Sequence, residues 1–81
     1  MRVQVHFFSY FRDLAACSQC SLNLEKGTNL EQALVEIHAK FPNLKAMKKS
    51  TLVAVDMEYV SRDHLLCEGN DIALFPPVQG G

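Results

Sequence analysis

The residues best suited to chemistry lie at the end of the chain, where residues 76–81 read Pro-Pro-Val-Gln-Gly-Gly. The two prolines fix φ and favour an extended, polyproline-like backbone. The final glycines carry no side chain and can enter a slot too narrow for any other residue. The reactive group at the tip is the α-carboxylate of Gly81. The stretch predicts either an arm that delivers this carboxylate to another protein's active site or a frayed chain end.

Three cysteines, Cys17, Cys20 and Cys67, are the other groups with possible chemistry. An odd number argues against a disulfide framework and fits a reducing compartment. A structural zinc would need the Cys17–Cys20 CxxC pair to converge with Cys67 and one histidine. A redox CxxC more typically opens a helix, whereas this one precedes an apparent strand. We interpret the three as ordinary, partly buried thiols and expect no metal site, with zinc or redox chemistry as the alternative.

Length and charge limit the class of protein. Eighty-one residues make one small domain, and a formal net charge of −1 gives no reason to expect nucleic acid or an anionic membrane as a partner. No apolar run approaches membrane-spanning length, and the first residues lack the apolar region of a signal peptide. We therefore expect a cytoplasmic protein.

Alternating apolar and polar residues, together with short apolar runs between turn signals, indicate the strands. They are expected at residues 2–8, 21–25, 52–55, 58–60 and 72–75. Glycine is favoured in the primed turns of two-residue hairpins, and Met57 is a poor substitute. Asp56-Met57 is read as a tight connection between two strands, with a turn that is either longer or of another type than the primed ones.

Two helices are expected. A short one over residues 9–16, with Ser9 as N-cap, would fold into the connection of the first hairpin. The main helix would start with a capping box between Thr28 and Glu31 and end at Phe41, because the following proline disfavours helix there. Its apolar stripe is Leu30, Ala33, Leu34, Ile37 and Phe41. Residues 43–49 read as a polar connector whose lysines form a solvated face rather than a phosphate site.

The order strand, strand, helix and two or three strands predicts an α+β fold in which one main helix covers one face of a mixed sheet. With the first and last strands central, this is the β-grasp, or ubiquitin-like, arrangement. Residues 1–75 would form the β-grasp domain and residues 76–81 an extended C-terminal arm. Parity then places Phe8, Tyr59 and Phe75 on the uncovered face. They would form either an anchor patch for a partner, with Arg12 and Asp71 as its rim, or a minor core under the loops.

Three blocks of the sequence resemble the MoaD family, the small subunits of molybdopterin synthase. They are residues 5–13, residues 55–60 and residues 68–81, and the likeness spans the chain without insertions. The ending Pro76-Pro77-Val78-Gln79-Gly80-Gly81 is the specific part, since related thiamine sulfur carriers typically lack the two prolines. The family often has Asn-Gly in place of Asp56-Met57 and a small residue in place of Gln79.

The resemblance implies a mechanism. An ATP-dependent adenylating enzyme, related to ubiquitin-activating enzymes, would activate the Gly81 carboxylate, and a sulfur donor would convert it to a thiocarboxylate. The arm, with Pro76, Pro77, Val78 and Gly80, would enter the large subunit of molybdopterin synthase and donate sulfur to cyclic pyranopterin monophosphate. The chain would bind no cofactor itself, since ATP is used by the activating enzyme. The assembly is expected to be a heterotetramer, and the substrate pocket is expected on the large subunit.

The resemblance also assigns a partner surface. Phe8, Tyr59 and Phe75 match hydrophobic interface positions of the family, and Arg12 is a candidate for the rim. Other readings stay open: a sulfur carrier for thiamine or tRNA thiolation, a ubiquitin-like modifier of lysines, a β-grasp electron carrier, or a plain interaction domain. Three cysteines cannot supply the four thiolates of a standard iron–sulfur cluster, which weighs against the electron carrier.

Overall fold

A computed structural model describes residues 1–77 of the chain. Its elements are β1 (Arg2–Phe7), α1 (Phe11–Ala15), β2 (Gln19–Asn23), α2 (Leu30–Lys40), a 3-10 segment (Pro42–Ser50), β3 (Leu52–Val55), β4 (Glu58–Tyr59) and β5 (Asp71–Phe75). Within this described part, neither helix has the length and apolar character needed to cross a membrane.

The five strands form one mixed sheet in the order β2-β1-β5-β3-β4. β1 and β5, the first and last strands, lie at the centre and pair in parallel, with Val5 opposite Ile72. β2 and β3 flank this pair and are antiparallel to it. The predicted α+β fold, with its mixed sheet and central terminal strands, is confirmed.

The core lies between α2 and one face of the sheet. Alternate residues of the central strands point into it, and Val5 and Ile72 are both 0% exposed. The predicted stripe of α2 supplies Leu30, Ala33, Leu34 and Ile37, all of them buried. Phe41 closes the core edge-on to Phe7, with ring centroids 5.0 Å apart. The helical periodicity therefore predicted the helix side of the core correctly.

The start of α2 differs from the expectation. The N-cap is Asn29, whose side chain accepts from the Gln32 N–H while the Gln32 side chain accepts from the Asn29 N–H, at 2.9 Å each. The expected box between Thr28 and Glu31 was wrong because both residues bond elsewhere. The Thr28 hydroxyl donates to the Glu25 carbonyl at 2.7 Å. The Glu31 N–H donates to the carbonyl of Arg62, 2.9 Å away in a distant loop.

The first hairpin also differs in detail. β1 ends at Phe7, and Ser9 has φ 58° in the left-handed region, so Ser9 is not the N-cap of α1. Tyr10 holds that position without a side-chain cap bond. β2 covers residues 19–23 rather than 21–25, because β1 pairs with that register. The expected polar connector is wound into the 3-10 segment, where Leu44 is buried.

The tight connection expected between β3 and β4 is confirmed, but the expectation of a longer turn, or of a turn type other than a primed one, was wrong. Val55 pairs with Glu58, and the residues between them, Asp56 and Met57, have φ 49° and 70°. Positive φ at both central positions is typical of a type I′ turn. The Asp56 carboxylate accepts from the Asn70 side chain at 2.7 Å and from the Asp71 N–H at 2.9 Å. These bonds offset the cost of a turn that lacks glycine.

Met57→Gly is expected to raise the free energy of unfolding by up to about 1 kcal/mol, since left-handed backbone strains residues that carry a Cβ. The Met57 side chain is 96% exposed and its loss removes little packing. Asp56→Gly is the matched control and should destabilise the protein, because the bonds from Asn70 and Asp71 to the Asp56 carboxylate are lost. Urea denaturation measures both, and a destabilised Met57→Gly would contradict the account.

Leu34→Ala is expected to cost about 2–5 kcal/mol, because it opens a cavity between α2 and the sheet. Val35→Ala on the same helix is the control, since Val35 is 57% exposed. A loss under about 1 kcal/mol for Leu34→Ala in chemical denaturation would mean that the core is misplaced.

Candidate functional site

The pairing of β1 with β5 brings Phe8 beside Phe75. Phe7 lies opposite Leu74 in the parallel register, so the next residues of the two strands lie side by side on the open face. The Phe8 N–H donates to the Leu74 carbonyl at 3.1 Å. The rings of Phe8 and Phe75 are 6.3 Å apart and nearly perpendicular, an edge-to-face arrangement favourable for aromatic rings.

Tyr59 reaches the same place from the other side. It pairs with Ala54 across β4 and β3, and Ala54 pairs with Ala73 of β5. The Tyr59 and Phe75 rings are 6.1 Å apart. Because Ala54 and Ala73 are small, no bulky side chain between the strands covers this part of the face. Phe75 therefore stands between two rings, and we call Phe8, Tyr59 and Phe75 the aromatic surface.

The aromatic surface is open to solvent. Tyr59 is 69% exposed and Phe8 is 48% exposed, whereas Phe75 between them is half-buried. The alternative of a minor core under the loops is therefore wrong. Three neighbouring rings left on the open face of a sheet are typical of a protein interaction site. Their role in binding a partner stays a prediction, although strand alternation assigned them to the correct face.

His6 extends the aromatic surface and was not among the site residues expected from the sequence. Its ring stacks near Phe8 at 6.5 Å, and its Nε2 lies 3.1 Å from the Asp71 carboxylate. His6 and Phe8 are two residues apart, so the alternation of β1 that assigned Phe8 to the open face also assigned His6 to it. That alternation could have identified His6. Asp71 thus lies on this face as expected for a rim residue. Arg12 is exposed on α1, where its Nε donates to the Ser9 carbonyl at 3.4 Å. Its role as a rim residue stays a prediction.

The arm begins where the aromatic surface is centred. Pro76 follows Phe75 directly and is half-buried, and Pro77 is exposed. Val78, Gln79, Gly80 and Gly81 lie outside the described residues. The proposed boundary between a domain of residues 1–75 and an arm of residues 76–81 stays a prediction, as do the roles of the arm residues.

The cysteines do not assemble a site in the described part of the chain. Residues 1–77 hold no group of three or more His, Cys, Asp or Glu arranged to bind a metal ion. Cys17 and Cys20 are half-buried as expected, but Cys67 is exposed, because it lies in the loop before β5. Burial raises the pKa of the Cys20 thiol, with Cys17 adding to the rise and Lys40 opposing it. This environment favours an unreactive thiol.

Comparison with known proteins identifies the family. The model of the ThiS family matches residues 5–81. The chain belongs to the ThiS family. A relative from Chlamydomonas reinhardtii, named molybdopterin synthase sulfur carrier subunit, is 30% identical, and the match covers 100% of both chains. The resemblance to the small subunits of molybdopterin synthase is thereby confirmed.

Solved structures agree on the fold of this ThiS-family chain. A protein from Pyrococcus furiosus, described as putative molybdopterin converting factor subunit 1, has a TM-score of 0.85 at 27% identity and covers 96% of this chain and 99% of its own. SAMP1 of Haloferax volcanii has a TM-score of 0.91 at 19% identity, with 100% of both chains covered. Subunit 1 of a complex with subunit 2 of the molybdopterin-converting factor from Helicobacter pylori has a TM-score of 0.73 at 24% identity, also over 100% of both. These neighbours confirm the β-grasp architecture.

Proposed function

We propose that this chain is the sulfur-carrier subunit of a molybdopterin synthase, with the C-terminal carboxyl of Gly81 as the point of sulfur attachment. The observation that carries the proposal is the aromatic surface. Its central ring, Phe75, is the last residue of the central strand, and Pro76 and Pro77 leave from it. The full-length relative with that function supports the same conclusion.

The carboxyl must be activated before it can accept sulfur. An α-carboxylate has a pKa of about 3.5, is ionised at neutral pH and is a poor electrophile. ATP on an adenylating enzyme would convert the Gly81 carboxylate to an acyl-adenylate and release pyrophosphate. The terminal sulfur of a donor persulfide would then displace AMP, and a thiol would cleave the new S–S bond to leave the thiocarboxylate.

The sulfur would then pass to cyclic pyranopterin monophosphate in the large subunit. The thiocarboxylate sulfur would attack a carbon of this substrate and displace an oxygen substituent there, which leaves Gly81 joined to the pterin through a thioester. Water would then cleave the thioester, so that the sulfur stays on the pterin and Gly81 returns to its carboxylate. Because a dithiolene holds two sulfurs, two deliveries serve one product. The chain acts in this scheme as a donor, and the groups that bind the pterin would belong to the large subunit.

The arm suits delivery into a partner. Six extended residues span at most roughly 20 Å, which is enough to carry the reactive group well away from the domain. Pro76 and Pro77 restrict φ and reduce the conformational entropy lost on insertion. Gly80 and Gly81 leave the carbonyl accessible within a narrow channel.

The aromatic surface would anchor the domain while the arm is inserted. Exposed tyrosine and phenylalanine rings supply much of the binding energy in protein interfaces, because they bury large apolar areas at low entropic cost. The Helicobacter pylori protein of the same fold is found in complex with its subunit 2. A large-subunit partner for this chain is proposed on that basis, and the same surface at the root of the arm would suit the adenylating enzyme in turn.

The proposal is tested by intact mass. After incubation with ATP, the adenylating enzyme of its host and a persulfide donor, the chain should gain the mass of one oxygen replaced by sulfur. Fragmentation should localise the gain to Gly81. A chain extended by one residue after Gly81 is the matched control and should neither gain sulfur nor support dithiolene formation.

Other outcomes would overturn the proposal. An unchanged mass with an enzyme shown to be active would exclude a sulfur carrier. An amide-linked ladder on other proteins, without transfer of sulfur to the pterin, would instead identify a protein modifier.

Tyr59→Ser is expected to weaken binding to the large subunit by on the order of tenfold or more, since it removes an exposed ring from the proposed anchor. Stability should change little, because Tyr59 packs mainly against Phe75 at the surface. Met57→Ser is the matched control, because Met57 is more exposed but outside the aromatic surface. Isothermal titration with the large subunit measures both, and equal affinities would remove Tyr59 from the interface.

A further inference from the structure

A second surface lies on the helix side of the sheet, between α2 and the 3-10 segment. Two adjoining cavities of about 280 and 340 Å³ open there and share His38 and Lys48 in their walls. The α2 residues that line them run from Glu31 to Ala39, which is one face of the helix over two turns, or about 12 Å. We call this continuous depression the basic groove.

The floor of the basic groove is apolar. Leu34 and Val53 form it in one cavity, and Val35 and Ala39 form it in the other. Val35 is among the large apolar side chains that the fold leaves exposed, and the stripe of α2 that fills the core does not include it. Exposed apolar surface rimmed by polar residues is typical of a site that another molecule covers.

Half of the basic side chains of the protein lie around the basic groove. Lys45, Lys48, Lys49 and Arg62 surround the two cavities, which is four of the eight Lys and Arg side chains. Of the nine Asp and Glu side chains, Glu31 is the one among the described lining residues. The groove is therefore strongly basic in a chain whose formal net charge is −1.

Tertiary contacts build this rim from distant parts of the chain. Arg62 lies beside the groove because its carbonyl accepts the N–H of Glu31 at the start of α2. The carboxylate of Glu31 is 4.0 Å from the Arg62 guanidinium and is a partial counter-charge at one end. The lysines come from the 3-10 segment on the opposite wall.

The positive charge of the basic groove affects the pKa of His38. Burial lowers the pKa of its imidazole, and Lys48, Lys45 and Arg62 lower it further, while Glu31 opposes them. Lys49 lines the same cavity as His38. Because these positive charges oppose protonation, a carboxylate brought close to His38 would raise the pKa of its imidazole.

We propose that the basic groove binds an acidic segment of a partner protein, with carboxylates on the rim and apolar side chains on the floor. A single phosphate group would occupy only part of a depression two helical turns long and would leave its apolar floor uncovered. A flat membrane would reach the exposed Val35 but not the buried Leu34 and Val53. A short acidic stretch of polypeptide with apolar residues fits the length, the charge and the floor together.

The groove goes beyond the proposed function, because it uses neither the arm nor the aromatic surface. Val53 lines the groove from the core side of β3, whereas its neighbour Ala54 lies in the row that joins Tyr59 to β5 on the open side. A segment bound in the groove would therefore lie on the side of the sheet away from the aromatic surface.

The test is a nuclear magnetic resonance titration of the full ¹⁵N-labelled chain. The probe is a short acetylated peptide in which glutamate and aspartate alternate with leucine. Amide shifts are expected along α2 from Leu34 to Ala39, in the 3-10 segment and at Arg62. The pKa of His38, read from its ring protons, should rise when the peptide binds, because a nearby carboxylate favours the protonated imidazole.

Charge-reversal variants make the test specific. Lys48→Glu should weaken peptide binding by on the order of fivefold, since this residue lines both cavities. Lys26→Glu makes the same charge change on an exposed residue outside the basic groove and should leave binding unchanged. The Tyr59→Ser variant should bind the peptide with unchanged affinity, because Tyr59 lies outside the basic groove. None of these measurements depends on sulfur at Gly81.

Four results would overturn the proposal. They are absence of shifts in the groove, equal weakening by Lys26→Glu, full reproduction of the shifts by pyrophosphate, and the same footprint with phosphatidylserine vesicles. The second would mean a general charge effect. The third would identify a site for small anions, and the fourth a membrane surface.

Discussion

The parallel pairing of β1 with β5 is the constraint on which the rest of the molecule depends. It joins strands from the two ends of the chain at the centre of the sheet, where Val5 and Ile72 are fully buried. Because the two strands run in the same direction, their carboxyl ends lie at the same edge of the sheet. Phe8 and Phe75 meet there, and Pro76 follows Phe75 directly. One backbone register therefore sets which rings lie beside the start of the proposed arm.

The hairpin between β3 and β4 completes the aromatic surface at a local cost. Asp56 and Met57 take up positive φ, which for residues with a Cβ costs roughly 1–2 kcal/mol each. The Asp56 carboxylate is held by Asn70 and by the N–H of Asp71, at the beginning of β5. The tight turn keeps Tyr59 in register with Ala54. The strained turn therefore fixes the register that brings the Tyr59 ring beside Phe75.

The two sides of the sheet carry different surfaces. Aromatic rings lie on the open side near the root of the arm, and a basic groove lies on the side that α2 covers. A carrier of the proposed kind must meet an activating enzyme, a sulfur donor and an acceptor. The arm can enter one active site at a time, so proteins that bind the root of the arm must replace one another in turn. A surface on the opposite side allows one contact to persist through such an exchange.

The sequence by itself determined the main helix, the order of the strands, the faces of both and the chemical character of the arm, because strand and helix periods are local properties. Alternation in β1 and β5 was enough to assign Phe8 and Phe75 to the open face. Only the tertiary structure decided what depends on residues far apart in the chain. The N-cap moved from Thr28 to Asn29 because the N–H of Glu31 bonds to the carbonyl of Arg62. The same contact puts Arg62 beside the lysines, which the sequence alone showed only as a solvated face.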